Sequence, residues 1–304
     1  MTEFCAAVDW GTSHFRLWVL DNEGKVLAKR QSDEGLATAG RIGFSLVLED
    51  HLSKLGLTKS VPAVICGMAG SLQGWQEARY LDTPVELAAI PNGAIAVGRA
   101  DRDVRILPGI CQRDPKHPDV MRGEETLLLG AMTTNSGNEI VCMPGTHSKW
   151  VTLNNSRVVE FSTHMTGDLF SAISSNTVLR FADMNSKNID PTASVFLSAI
   201  EQAMLNPAEI TSQLFAIRSA PLLDQGRGED ASAQLSGALI GLELAAVTSR
   251  HGIIELVTLI VGSPLADLYR GAFDHCDIDV IQMDSEHAAR AGLYEAARQF
   301  WSTK

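Results

Sequence analysis

Two short segments of the sequence combine glycine, hydroxyl and charged side chains in the manner of phosphate-binding turns. In the first, Asp9 is followed by Trp10, Gly11, Thr12 and Ser13 between two apolar runs. Glycine lets a ligand approach the backbone closely, and the hydroxyl and N–H groups of such a turn can converge on one anion. An acid beside that anion would hold a divalent cation, partly through water as Mg²⁺ prefers. The alternative is an ordinary turn capped by Asp9.

The second segment repeats this arrangement and adds a cation. Here Met143 stands where Asp9 stood, so only the first segment offers a metal-binding carboxylate. Two such cradles could hold the phosphate chain of a nucleotide between domains that close over it. The candidate phosphate-binding residues of the second cradle are Gly145, Thr146, His147, Ser148 and Lys149.

Further charged residues could act on a phosphoryl group in transfer. Arg16 lies three residues past Ser13 and could stabilise the group's charge, as could Lys149. Transfer to a hydroxyl also needs a carboxylate that orients the hydroxyl and accepts its proton. Glu124 and Glu125, in the segment Arg-Gly-Glu-Glu, are the candidates. Acids at a helix N-terminus can also serve simply as caps.

Two loops in the first half have compositions suited to recognising a polar ligand. One begins at Glu34, and the other is a stretch rich in glycine that follows an apolar strand at 61–68. Either Arg79 or Arg122 could pair with a carboxylate of the ligand. A glycine-rich connection with a surface tryptophan is the alternative. The candidate ligand-binding residues are Glu34, Gly35, Met68, Gly70, Ser71, Trp75, Arg79, Tyr80, Arg122 and Glu125.

The residues Gly262, Ser263 and Pro264 end an apolar strand and precede a helix. Open α/β sheets bind ligands at such strand ends, so an adenine or ribose could lie there. Ser263 could equally cap the following helix. The sequence has no Walker A, Gly-x-Gly-x-x-Gly or Gly-x-Ser-x-Gly motif, and its histidines have no zinc-site spacing.

The elements that position these residues alternate between strands and helices, which predicts an α/β fold. Both cradles lie in hairpins, which indicates two halves with the same opening motif. We predict two domains, 1–134 with the first cradle and the substrate loops, and 135–304 with the second cradle and the adenosine site. Strands are predicted within 4–32, 61–68, 105–107, 139–165, 256–262 and 278–282. Helices are predicted at 43–55, 123–132, 167–181, 192–204, 207–217, 231–249, 264–275 and 286–300, and a loop at 219–230.

The composition of the 304 residues, 45% hydrophobic and 20% charged, fits a globular protein with a sizeable core. The net charge of −11 leaves no broad basic surface, which argues against a nucleic-acid partner. Five scattered cysteines without a Cys-x-x-Cys pair fit a reducing cytoplasm. No signal-peptide pattern and no uninterrupted apolar run of membrane length is present. We therefore expect a soluble, cytoplasmic protein.

Seven segments in order along residues 7–269 resemble one known family. They are AVDWGTSHFRLW, CGMAGSLQGW, DVMRGEETLLLGAM, MPGTHSKWV, HMTGDLF, LSGALIGLEL and VGSPLADLY. Together they resemble the 2-dehydro-3-deoxygalactonokinase family of the actin-like ATPase and sugar kinase superfamily. The resemblance implies two ribonuclease-H-like domains with an interdomain nucleotide cleft, and a kinase that uses ATP and Mg²⁺ to phosphorylate 2-dehydro-3-deoxy-D-galactonate at O6 in D-galactonate breakdown.

The resemblance also implies residue roles. The wider superfamily carries its catalytic base at the Asp of Gly-Asp-Gln-x-Ala-x-Leu-x-Gly, and Glu124 occupies this position, with Glu125 beside it as the alternative. Asp9 is then the metal-binding residue and Arg16 a charge-stabilising one. The expected partners are the sugar acid and ATP, with neither nucleic acid nor a membrane, and a homodimer is left open. A kinase for another 2-keto-3-deoxy sugar acid, or a phosphatase or ATPase of this fold, is the alternative.

Overall fold

The structure is a computed structural model, and it describes residues 2–98, 100–131, 138–182, 189–223, 231–262 and 265–302. The strands are β1 (Glu3–Trp10), β2 (Phe15–Asp21), β3 (Val26–Ser32), β4 (Ala63–Gly67), β5 (Leu81–Asp82), β6 (Val85–Glu86), β7 (Ile95–Ala96), β8 (Val104–Ile106), β9 (Ile110–Gln112), β10 (Asp119–Met121), β11 (Asn138–Met143), β12 (Ser148–Asn154), β13 (Arg157–His164), β14 (Leu256–Val261) and β15 (Asp279–Asp284). The α-helices are α1 (Leu36–Ile42), α2 (Phe44–Lys54), α3 (Glu124–Ala131), α4 (Thr166–Asn176), α5 (Ser194–Leu205), α6 (Ile210–Leu223), α7 (Ala231–His251), α8 (Leu265–His275) and α9 (Ser285–Trp301).

Two of the sheets are built in the same order. One runs β3-β2-β1-β4-β8-β7, and the other runs β13-β12-β11-β14-β15 with β6 beside β13. Strand β1 pairs antiparallel with β2 and parallel with β4, and β11 likewise pairs parallel with β14. A small third sheet has the order β10-β9-β5. The repeated order confirms the predicted α/β fold with two similar halves, as expected of the actin-like class.

The chain divides into two compact units. Unit 1 contains residues 1–138, 151–161 and 283–304, and unit 2 contains residues 139–150 and 162–282. The predicted domains, 1–134 and 135–304, stay a prediction. Within unit 1 the late segment 285–301 packs against the early helix α3, a long-range pairing that no local sequence pattern indicates.

Helix α9 lies against α3 in unit 1 through two facing glycines. A Cβ atom on Gly130 would collide with the carbonyl oxygen of Ala288, and one on Gly292 would collide with that of Thr126. The two helix backbones are therefore in direct contact. Residues of α9 also join a buried core with residues of β1 and β4, including Leu293. Helix α9 thus fixes the helix that begins with Glu124 and Glu125.

Replacing Gly292 by Ala should lower the free energy of unfolding by about 1–3 kcal/mol, because the added methyl group has no space between the helices. The matched control is Gly40→Ala in α1, where a Cβ atom meets nothing within 4 Å. That change should stabilise the protein by roughly 0.4–1 kcal/mol through the unfolded chain. Urea unfolding of both variants checks the prediction, and equal midpoints would contradict the close packing.

Helix α7 is the core helix of unit 2. By length and composition it would suit a membrane span, but 72% of its apolar window is buried inside the protein. Gly237 and Gly241 let it approach α5, where a Cβ atom on Gly241 would lie 2.8 Å from Ile200 Cα. Glu243 lies within this apolar run and is itself buried and hydrogen-bonded. Packing within unit 2 therefore accounts for the apolar character of α7.

Other differences from the sequence predictions concern helix ends and short elements. Helix α6 continues to Leu223 through Pro221, so the loop predicted at 219–230 is wrong for its first five residues, and 224–230 lies outside the described residues. Ile217 in α6 packs in a buried cluster with residues of α7, and this contact supports the helix despite the missing N–H of Pro221. Helix α1 and the strands of the small sheet were not predicted.

Candidate active site

The first cradle is the four-residue turn between β1 and β2. The Gly11 N–H donates to His14 O at 2.8 Å, which closes the turn, and Thr12 and Ser13 lie exposed at its tip. Gly35 presses against the turn, because a Cβ atom there would lie 2.6 Å from Ser13 Cα. The structure therefore places Gly35 as a support for the cradle backbone.

Asp9 lies at the end of β1, with β2 on one side and β4 on the other. Its register partners are Arg16 and Cys66. Asp9 Oδ2 accepts a hydrogen bond from Arg16 Nη2 at 2.6 Å, and Oδ1 lies 3.8 Å from Cys66 Sγ. The Asp9 side chain is 12% exposed and that of Arg16 is 40% exposed. A charge-assisted hydrogen bond thus holds the carboxylate where solvent still reaches it.

Two glycines bring the Arg-Gly-Glu-Glu segment next to this strand end. Gly67, at the end of β4, has a φ of 85°, and Gly123 has a φ of 109°. A Cβ atom on Gly67 would lie 2.6 Å from Trp10 O, and one on Gly123 would lie 3.6 Å from Gly67 Cα. The left-handed backbone favours glycine at both positions, and at Gly67 the close approach to Trp10 also requires it. The segment that carries Glu124 therefore meets the end of β4 beside the first cradle.

Glu124 and Glu125 begin α3 in different surroundings. Glu124 is half-buried, and its Oε2 accepts the Arg122 N–H at 3.0 Å. Glu125 is fully buried; its Oε2 accepts the Gly123 N–H at 2.7 Å and its Oε1 the Thr126 hydroxyl at 3.0 Å. Burial, together with the neighbouring charge of Glu124, raises the pKa of Glu125 to about 8. Glu125 therefore carries a proton at neutral pH, which favours Glu124 as the base.

The buried acid Glu125 should make the protein less stable as pH rises. Its ordinary pKa is 4.5 and its pKa in the folded chain is about 8, so between these values the unfolded chain has released a proton that the folded chain still binds. The unfolding free energy then falls with pH, by up to about 1.4 kcal/mol per pH unit. Glu125→Gln keeps the shape of the protonated acid and should lose this dependence. Urea unfolding between pH 5 and 8 checks it, and identical slopes would contradict it.

Arg122 ties the glycine-rich loop to the Arg-Gly-Glu-Glu segment. Its Nη2 donates to Ala78 O at 2.9 Å, and its guanidinium lies 4.3 Å from the centroid of the Tyr80 ring. Arg122 Nε and Nη1 are buried, with no hydrogen-bond partner in the part of the chain that the structure describes. Arg79, in contrast, is exposed. Arg122 is therefore a half-buried arginine that holds the loop, whereas Arg79 is open to solvent.

The other candidate residues of this loop are mostly inside. Trp75 stacks on Phe44 with ring centroids 6.2 Å apart and 13° between the planes, so the surface-tryptophan alternative is wrong. Gly70 is buried, and Ser71 is buried with its hydroxyl unpartnered among the described residues. Met68 is half-buried. The loop therefore has a rigid base and presents few of its side chains to a ligand.

The second cradle is the turn between β11 and β12. Thr146 and His147 are exposed at its tip, and the Asp168 N–H donates to Thr146 O at 2.9 Å. A Cβ atom on Gly167 would lie 2.5 Å from Gly145 O, so the start of α4 packs directly on the turn. His147 Nε2 lies 3.7 Å from Asp168 Oδ2. The contact of Gly167 with Gly145 therefore supports the second cradle, as the contact of Gly35 with Ser13 supports the first.

Ser148 and Lys149 follow the turn but lie in the interior of unit 2. Ser148 is fully buried, with its hydroxyl 3.0 Å from Tyr269 OH. Lys149 is 4% exposed, and its Nζ donates to His147 O at 3.4 Å. The exposed tip of the second cradle therefore consists of Gly145 to His147, while the roles of Ser148 and Lys149 in phosphate binding stay predictions.

A buried carboxylate lies beneath this cradle. Glu243 in α7 accepts hydrogen bonds from Trp150 Nε1 at 2.7 Å, from Tyr269 OH at 2.9 Å and from the Thr166 hydroxyl. Burial raises the pKa of Glu243, and these hydrogen bonds oppose the rise. The acid thereby connects β12, α4, α7 and α8, the elements that surround the cradle. Sequence analysis missed it; an acid inside the apolar run LSGALIGLEL is the signal that could have found it.

A cavity of about 330 Å³ adjoins the second cradle within unit 2. Its wall is mainly apolar with a few hydroxyl groups, the character of small-molecule pockets. The lining residues are Gly145, Thr146, Thr166, Gly167, Phe170, Ser171, Ile189, Ser236, Leu239, Ile240, Leu265, Leu268 and Tyr269. Of the predicted adenosine site, Gly262 directly follows β14, while Ser263 and Pro264 lie outside the described residues. Leu265, directly after them, lines the cavity.

Comparisons with known proteins show the family of the chain. The 2-keto-3-deoxy-galactonokinase family matches residues 9–296 of the chain. A probable 2-dehydro-3-deoxygalactonokinase from Rhizobium meliloti (strain 1021) is 48% identical over 299 residues, which cover 98% of each chain. The 2-dehydro-3-deoxygalactonokinase of Escherichia coli (strain K12) is 32% identical over 297 residues, again 98% of each chain.

The fold is also that of a solved relative. The crystal structure of a Sinorhizobium meliloti protein described as a 2-dehydro-3-deoxygalactonokinase superimposes with a TM-score of 0.95 and 47% identity, covering 99% of this chain and all of the other. The similarity therefore spans both cradles, the Arg-Gly-Glu-Glu segment and the cavity. On this evidence the chain belongs to the 2-keto-3-deoxy-galactonokinase family.

Proposed function

We propose that this protein transfers the γ-phosphoryl group of ATP to O6 of 2-dehydro-3-deoxy-D-galactonate. The observation that carries the proposal is the near-complete match, over 98% of the chain, to relatives named for this activity. The structure supports it with two glycine-threonine cradles, a half-buried carboxylate at the start of α3 and a cavity beside the second cradle. The pathway that would use the product is D-galactonate breakdown.

Glu124 is the proposed base. Its side chain is partly exposed, and the Arg122 N–H fixes one of its oxygens. Such a carboxylate can orient the O6 hydroxyl and accept its proton as the O–P bond forms. Glu125 instead anchors the start of α3 through Gly123 and Thr126. The proposed base thus lies in the first turn of α3, which the buried Glu125 side chain holds through its hydrogen bonds.

Asp9 is the proposed ligand for Mg²⁺. No group of three or more His, Cys, Asp or Glu side chains in the described ranges could bind a metal without further ligands. A single carboxylate nevertheless fits Mg²⁺, which usually keeps several waters and binds substrate phosphates. The solvent contact of Asp9 and the exposed hydroxyl groups of Thr12 and Ser13 suit this role. When bound, the ion would neutralise phosphate charge, and Arg16 would keep the carboxylate in place.

The cavity of unit 2 is the proposed site of the adenosine moiety. Its apolar wall suits a purine ring, and Thr146 and Gly145 connect it to the second cradle, where backbone N–H groups can meet phosphate. For the carboxylate of the sugar acid we favour Arg79, which is exposed, over Arg122, whose guanidinium lies against Tyr80. The protein is expected to act in the cytoplasm on small molecules, with a homodimer left open.

Mass spectrometry of the products tests the proposal directly. Purified protein is incubated with ATP, Mg²⁺ and 2-dehydro-3-deoxy-D-galactonate, and ADP release is followed with and without the sugar acid. We expect sugar-dependent ADP release and one phosphate on O6. Equal ADP release without the sugar acid would support an ATPase or phosphatase instead. A parallel panel of other 2-keto-3-deoxy sugar acids tests the alternative substrates.

A further inference from the structure

A buried histidine holds the carboxylate of Glu34 in unit 1. His51 in α2 is 3% exposed, and its Nε2 lies 2.7 Å from Glu34 Oε2. Its other ring nitrogen, Nδ1, accepts a hydrogen bond from Arg30 Nε at 2.9 Å. Because arginine can only donate, Nδ1 must be the acceptor and the proton of the neutral ring lies on Nε2. His51 is therefore a fixed donor to Glu34.

Further contacts leave Glu34 little freedom. The Ser32 hydroxyl donates to the same oxygen, Oε2, at 2.8 Å, and Trp10 Nε1 donates to the Glu34 backbone oxygen at 2.9 Å. The His51 ring is itself fixed, since it stacks on Phe15 with centroids 4.6 Å apart. Both the backbone and one carboxylate oxygen of Glu34 are thus anchored.

The second carboxylate oxygen of Glu34 has no hydrogen-bond partner among the described residues, and the side chain is 30% exposed. Burial raises the pKa of Glu34, but the hydrogen bonds from His51 and Ser32 outweigh it and leave the pKa below its ordinary value. The next residue, Gly35, presses on the first cradle at Ser13. The chain next to Glu34 therefore packs on the phosphate-binding turn, and the lowered pKa favours an ionised Glu34 carboxylate.

A second network on α2, the ion pair of Glu49 with Arg102, is saturated with hydrogen bonds inside the protein. Arg102 donates to both carboxylate oxygens of Glu49, at 2.7 and 2.9 Å, and to the backbone oxygens of Thr58 and Val61. Both carboxylate oxygens of Glu49 accept hydrogen bonds within the protein, whereas only one carboxylate oxygen of Glu34 does. Glu49 and His51 lie two residues apart on α2. Glu49 therefore serves as a matched control for the loss of an acid in a similar environment.

We propose that Glu34 Oε1 accepts a hydrogen bond from a secondary hydroxyl of the sugar acid, and that His51 is the positioning residue that fixes this oxygen so that one epimer is selected. The inference rests on the proposed kinase function. A hydroxyl of the wrong configuration would leave the carboxylate without its hydrogen bond when the substrate is bound, and sites built to bind a hydroxyl discriminate strongly for this reason.

The test compares kcat/KM for 2-dehydro-3-deoxy-D-galactonate with that for its C4 and C5 epimers. The variants are Glu34→Gln, His51→Leu, His51→Gln and the control Glu49→Gln. The epimer ratio is kcat/KM for 2-dehydro-3-deoxy-D-galactonate divided by kcat/KM for one epimer. We expect Glu34→Gln and His51→Leu to reduce one of the two epimer ratios by about tenfold or more. His51→Gln should retain most of the ratio, because its amide can donate to Glu34 and accept from Arg30. Glu49→Gln should lower the melting temperature and leave both ratios unchanged.

Several outcomes separate this inference from the proposed function. If the wild-type protein phosphorylates none of the three sugar acids, the kinase proposal is wrong. If it phosphorylates them and Glu34→Gln leaves both ratios unchanged, the positioning role is overturned while the kinase proposal stands. Equal losses toward all epimers in His51→Leu would also overturn it, since a merely structural role predicts that result. Circular dichroism shows whether His51→Leu is folded, and Glu34→Gln decides the matter if it is not.

Discussion

In the Glu124→Gln variant we expect kcat for phosphorylation of the sugar acid to fall by about 10²–10⁴-fold, while KM for ATP changes little. The amide oxygen of Gln can still accept the Arg122 N–H, so the start of α3 keeps its structure. What the amide cannot do is take the proton of the attacking hydroxyl. Initial rates at saturating ATP and sugar acid measure the effect.

Glu125→Gln is the matched control for this experiment. Glu125 is buried and protonated at neutral pH, so Gln reproduces its shape and charge. We expect kcat to stay within a few-fold of wild type. If Glu125→Gln instead loses the activity and Glu124→Gln keeps it, the base is Glu125 and the interpretation of the raised pKa is wrong.

The second large effect is expected at Asp9. Asp9→Asn should lower kcat by roughly two to three orders of magnitude and raise the Mg²⁺ concentration needed for half-maximal rate, because a neutral amide is a poor ligand for Mg²⁺. Its hydrogen bond partner Arg16 is 40% exposed, so loss of this pair should change stability only slightly. Rates measured over a Mg²⁺ titration check both parts.

Asp21→Asn controls for the loss of an acid in the same hairpin. Asp21 lies at the other end of β2, where its Oδ1 accepts the N–H groups of Glu23 and Lys25 at 2.9 Å each. Its replacement should weaken the turn and leave the Mg²⁺ dependence unchanged. A wild-type Mg²⁺ titration curve in Asp9→Asn would show that the metal is bound elsewhere.

The sequence was informative wherever chemistry and local pattern coincide. The apolar runs on both sides of the segment from Asp9 to Ser13 predicted the first hairpin, and the repeated Gly-Thr pair indicated the second. Helix α3 was predicted close to its observed bounds, whereas the short strands β9 and β10 directly before it were not. The positions of both cradles could therefore be stated before the fold was known.

Other features depend on contacts that no local pattern encodes. The contact of Gly130 with Gly292 joins residues from distant parts of the chain. From sequence alone, each glycine only indicates a lower helix propensity. His51 and Arg30 look like ordinary polar residues until the fold places them behind Glu34. Trp75 lies in a segment with the composition of a surface loop, but its ring packs on Phe44. In each case tertiary packing overrides the local tendency.

The pairing of α3 with α9 has a consequence for synthesis on the ribosome. Helix α3 emerges early, but the backbone against which it packs, residues 285–301, is translated only after the whole of unit 2. At ~5–20 residues per second this delay is roughly ten to thirty seconds. During that interval the helix that carries Glu124 lacks its main neighbour, so this helix should reach its folded arrangement only after residues 285–301 have been translated.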